Sequence, residues 1–142
     1  MSFDLMVFNA AAAPRAPAEF FAWYELQTDW RDEGRYDDPA ICEKALRAWF
    51  TDMIVEFPAA NGADASAADS PRLSDYSLSK EVIYAAFAWS QADAAFAQAS
   101  ALAGKHGLGL FNPSSLEGRV SFPDGLAFDA NPPAAKPWWK FW

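Results

Sequence analysis

Apolar and polar positions divide the chain into segments of distinct period. Residues 3–8, Phe-Asp-Leu-Met-Val-Phe, are apolar apart from Asp4 and have the length of a strand. Such a run predicts a strand buried on both faces. An Ala/Pro loop follows over 10–16. Pro17 suits the first turn of a helix. Phe20, Trp23, Tyr24, Gln27 and Trp30 then recur three and four residues apart, which predicts a first helix ending before the charged turn Arg31-Asp32-Glu33-Gly34-Arg35. The second helical pattern is the clearest. Asp38 is placed to cap it and Pro39 to open it. Ile41, Ala45, Leu46, Trp49, Phe50, Met53, Ile54 and Phe57 form one apolar stripe, and Pro58 stops it. Glu43 and Arg47 are spaced to pair on the opposite face. The Ala, Asp, Ser, Pro, Asn and Gly of 58–72 predict a mobile surface loop.

Beyond the loop, 76–79 and 82–89 read as two strands, the second rich in β-branched and aromatic residues. Ser90 and Asp93 have the spacing of a capping box. They open a third helix whose core face is Ala92, Ala95, Phe96, Ala99 and Leu102, closed by Gly104 or Gly107. Two short strands, 108–111 and 119–122, flank Asn112-Pro113-Ser114-Ser115. The order β-α-α-β-β-α-β-β predicts an α/β (α+β) fold: a single sheet of about five strands with helices on one face, in a ferredoxin-like arrangement. Residues 1–123 form this domain. Residues 124–142 are a Pro/Ala linker and a Trp-rich tail, Lys136-Pro137-Trp138-Trp139-Lys140-Phe141-Trp142.

Composition narrows the class. The length of 142 residues fits one domain, and 52% hydrophobic residues exclude wholesale disorder. No apolar run approaches the ~18 residues of a membrane span. The start has no basic region of the kind that opens a secretory leader. Cys42 is the single cysteine, so no internal disulfide is available, and the expected location is cytoplasmic. A net charge of −8 repels nucleic acid and attracts basic proteins.

Catalytic constellations fare badly. His106 is the only histidine, and no G-x-S-x-G elbow surrounds a serine. The glycines of Gly104-Lys105-His106-Gly107-Leu108-Gly109 follow a helix and precede a strand, whereas a phosphate loop must lead into a helix. Glu25 with Asp29, and Asp52 with Glu56, stand four apart without a histidine beside them. They read as solvated acidic faces, so no catalytic residue, metal site or cofactor is expected. Cys42 reads as an inert, partly buried thiol.

Aromatic residues are 16% of the chain and include seven tryptophans. The tail has three readings: folded into a groove on its own domain, docked on a partner through Trp anchors, or at a membrane interface. A homo-oligomer held by the tail is a further expectation. The motifs Val7-Phe8-Asn9, Ala13-Pro14-Arg15, Trp23-Tyr24, Asp38-Pro39, Phe57-Pro58 with Asn61-Gly62, Asp75-Tyr76-Ser77, Ile83-Tyr84 with Phe87-Ala88-Trp89-Ser90, and Lys105-His106-Gly107 resemble those of a family of small, largely uncharacterised bacterial proteins. In size, acidity and aromatic content the chain is similar in type to the immunity proteins of toxin systems. The expected function is therefore a protein-binding module that neutralises a basic partner, through Trp138, Trp139, Phe141, Trp142, Asp29, Asp32 and Glu33. The alternative is a small-molecule-binding or enzymatic domain whose pocket gathers Arg15, Trp23, Tyr24, Trp30, Tyr84, Trp89 and His106.

Overall fold

The structure, a computed structural model, describes residues 2–28, 39–60 and 70–130. Strand β1 spans Phe3–Phe8 and helix α1 spans Pro17–Gln27. A 3-10 turn at Pro39–Ile41 precedes α2, Lys44–Glu56. Strands β2 (Asp75–Leu78) and β3 (Val82–Phe87) follow, then a 3-10 turn at Trp89–Gln91 and α3, Ala92–His106. Three short strands complete the fold: β4 (Gly109–Asn112), β5 (Arg119–Ser121) and β6 (Ala127–Asp129). All strands pair antiparallel in one sheet, in the order β2-β3-β1-β4-β5-β6.

Strand β1 lies inside the sheet, and its side chains alternate between two cores. Phe3, Leu5 and Val7 join the core under α2 and α3, with Leu46, Trp49, Met53, Tyr76, Ile83, Phe87 and Ala99. Met6 and Phe8 face the opposite way, into a second core with Phe20 of α1, Val82, Phe111, Val120 and Phe122. The register carries this alternation across the sheet: Val7 is opposite Ile83 and Leu110, and Met6 is opposite Tyr84 and Phe111. A strand buried on both faces has little room for polar residues, as its nearly unbroken apolar run requires.

The expected α+β class with a single sheet holds, and the expected order is matched roughly. Helices on one face is corrected: α2 and α3 share a face, but α1 covers the other through Phe20. Strand β1 offers an apolar surface on that side too, and it needs a cover. Among the described residues the sheet has six strands instead of about five. Strand β6 was missed because three residues behind Pro123 and Gly125 are too short to show a period; pairing with β5 creates it.

Element ends also shift. Helix α1 closes at Gln27, and Trp30 lies outside the described residues, as does Asp38. Helix α2 begins at Lys44, with the Glu43 carboxylate accepting from the Ala45 N–H as its cap. Cys42 therefore precedes the helix and is buried, and Ile41 is exposed instead of on the stripe. Gln91, not Ser90, occupies the cap position of α3, without a side-chain cap bond. Gly107 ends that helix in the left-handed conformation, φ 68°, which a residue without a β-carbon adopts at no steric cost. Most of the expected loop at 58–72 lies outside the described residues, but its ends are tied down. The Ala60 N–H donates to the Ser74 carbonyl and the Ser74 N–H to that of Pro58.

The stripe of α2 carries the larger core. Trp49 is fully buried, and its indole N–H donates to the Ala99 carbonyl of α3 at 3.2 Å. Replacing it by alanine removes that bond and opens a cavity. Chemical denaturation of Trp49→Ala should therefore show a loss of about 3–5 kcal/mol; an unchanged midpoint would place the stripe on the wrong face.

Candidate groove and polar cluster

Sheet width and helix width do not match on the α2–α3 face. Strands repeat about every 4.8 Å, and packed helices every 8–10 Å or so. Two helices therefore cover about four strands, and a six-stranded sheet overhangs them. Helix α3 packs on β1 and β4, which leaves β5 and β6 projecting. On that face their residues Arg119, Ser121, Ala127 and Asp129 are exposed, while Val120 is buried on the α1 side.

A groove of about 340 Å³ runs along this step between α3 and the overhang. Phe96, Ser100, Ala103 and Gly104 of α3 form one wall, Leu108 and Leu110 supply the apolar floor, and the chain at Phe122 and Pro123 closes the far end. Asn112, Arg119 and Ser121 add polar groups. Arg119 stands 3.5 Å from Asp129 of the neighbouring strand. Phe96 belongs on the core face by period, but it is 41% exposed. Ala95, Ala99, Leu102 and Ala103 reach the core, and Phe96 stands at their edge, above the step.

The expected pocket residues separate. The side chains of Tyr24 of α1 and Tyr84 of β3 come together on the α1 face of the sheet. The Tyr84 hydroxyl donates to Asp4 Oδ2 at 2.5 Å. Asp4 also accepts from the Ser2 hydroxyl, and its backbone N–H donates to Ser114 Oγ at 2.8 Å. Trp23 packs edge-on against Phe8 on the same face. Arg15 is exposed on that side, 2.6 Å from Asp124, with its guanidinium over the Phe122 ring. Trp89 is elsewhere, half-exposed against Phe3. His106 lies at the end of α3 with Nε2 2.7 Å from Asp52, beside the Lys105 ammonium. Hydrogen bonds from His106 and Lys105 hold the Asp52 carboxyl below its ordinary range. Trp30, Asp29, Asp32, Glu33, Trp138, Trp139, Phe141 and Trp142 lie outside the described residues.

Asp4 and Ser114 were not among the expected site residues. The signal for Asp4 was present: a lone carboxylate in a buried strand demands partners. Among the described residues, no group of three or more His, Cys, Asp or Glu side chains is placed to hold a metal ion. No described helix is long and apolar enough to cross a membrane.

No family model, curated protein or solved structure matches the chain.

Burial raises the pKa of Tyr24, Tyr76 and Tyr84 above the usual tyrosine value of 10.0, and the Asp4 carboxylate raises Tyr84 further. A raised acid keeps its proton in the folded state while the unfolded chain releases it. The resulting stabilisation is complete below pH 10 or so and is lost as pH rises beyond it. In an alkaline titration, tyrosinate absorbance from these three should appear only together with the loss of native circular dichroism. Ionisation of two or more of the four tyrosines in a still-folded protein would contradict these placements.

Proposed function

We propose that this chain is a protein-binding module that captures a basic partner, in the manner of the immunity proteins that neutralise toxins, with the α3–β5 groove as its docking surface. The observation that carries this reading is the groove itself: an apolar floor beneath a large aromatic side chain left 41% exposed. Partially exposed aromatics beside a pocket are the usual anchors of protein interfaces. The net charge of −8 supports a basic partner, because complementary fields speed encounter. A cytoplasmic location belongs to the same proposal.

A second reading, a small-molecule-binding or enzymatic domain, has the Tyr24–Tyr84–Asp4 cluster in its favour. It requires a ligand that raises the melting temperature of the native protein and loses that effect in Tyr84→Phe.

The docking reading is tested by parallel capture with the native protein and Phe96→Glu as baits, at low and high salt. The same basic protein should be recovered by the native bait at low salt, weakened by salt and absent from the Phe96→Glu bait. Identical recovery on both folded baits, or no protein specific to the native one, would overturn the assignment of the groove.

A further inference from the structure

The sequence contains a segment suited to this groove. We infer that residues 136–142, through one or more of Trp138, Trp139 and Trp142, occupy the α3–β5 groove of their own chain when no partner is bound. The inference rests on the groove being a docking surface and adds its occupant in the free protein.

Three observations support it. The first is where the described chain leaves the sheet. Asp129 pairs with Arg119 across β5 and β6, and the Ala130 N–H donates to the Gly118 carbonyl at 2.8 Å. Arg119 lines the groove, so β6 delivers the chain beside one end of it. Trp138 is eight residues beyond Ala130, a reach of up to about 26 Å when extended. Two strand spacings, about 10 Å, separate β6 from β4. The segment has enough length to round the β6 edge and lie along the step.

The second observation is charge. Lys136 and Lys140 lie in residues 131–142, which contain none of the 19 acidic residues. The first 130 residues therefore carry 9 basic and 19 acidic side chains, a net charge of −10 against +2 for the segment. The third is chemical fit. Phe96, Leu108 and Leu110 give a groove of about 340 Å³ its apolar seat, which suits one or two indoles, and burying such large aromatic surface favours the seated state. Pro132, Pro133 and Pro137 lack the N–H groups needed to extend the sheet along β6, which favours a face over the edge. A basic, aromatic partner segment would compete for the same seat.

The test is paramagnetic relaxation in the full chain. A nitroxide is attached at Ser100→Cys on the groove wall, with Ser121→Cys as a second groove site and Glu19→Cys on exposed α1 as the control. Cys42 is buried and is replaced by Ala in all three. Indole N–H signals of Trp138, Trp139 and Trp142 are assigned by single Trp→Phe variants. The groove labels should erase most of the intensity of at least one of these signals, while the Glu19 label leaves them intact. Full intensity with both groove labels, or equal loss from all three sites, would overturn the inference. The same loss in isotope-enriched, nitroxide-free protein mixed with spin-labelled, unenriched protein would overturn it in favour of a second copy. The docking reading is judged separately by the dependence of partner capture on Phe96, so each can fail alone.

Discussion

The seat of Phe8 on Gly109 holds the two halves of this fold together. The two residues face each other across β1 and β4, and a β-carbon on Gly109 would stand only 2.2 Å from the Phe8 ring atoms. The tip of the ring thus rests on bare backbone at a distance that only glycine permits. From there it meets Phe20, Trp23 and Phe122. Phe20 in turn packs on Phe111 and Phe128. Helix α1 is fixed to the sheet through this aromatic chain, and β5 and β6 are fixed to α1. Strand β1 belongs at the same time to the core beneath α2 and α3.

The groove follows from how that arrangement fills space. Helix α1 and its aromatics stabilise β5 and β6 from one face, so the sheet can grow beyond the width that α2 and α3 cover on the other. The result is a step, with Phe96 at its edge and Leu108 and Leu110 at its base. Under the proposed docking reading, an apolar step on an acidic chain would suit a partner whose contact is aromatic and basic. The polar cluster of Tyr24, Tyr84 and Asp4 has a structural role that needs no ligand: it gives the lone carboxylate of β1 its partners and ties α1 to β3.

The sequence made the long elements legible and left their faces open. Strands β1 and β3 and the stripe of α2 were readable because each buries an apolar pattern longer than chance supplies. Period places Phe96 in line with Ala99 and Ala92, but it does not say whether a neighbour lies beyond them. Alternation in β1 shows apolar residues on both faces, yet nothing in the chain says which helix covers which. Strand β6 has too few residues to announce itself. The site was harder still. Tyr24 and Tyr84 are sixty residues apart, and Asp52 and His106 are fifty-four apart; only the register of the sheet and the packing of α2 on α3 bring such pairs together.

A double-mutant cycle between positions 8 and 109 measures the contact that joins the two faces. Gly109→Ala places a methyl group against the Phe8 ring and should cost about 1–3 kcal/mol in the native background. In a Phe8→Leu background the narrower side chain leaves room for that methyl, so most of this cost should vanish, giving a coupling energy of roughly 0.5–3 kcal/mol. Costs that simply add, within about 0.3–0.5 kcal/mol, would mean that Phe8 does not rest on Gly109, and the account of how the two faces are joined would fail.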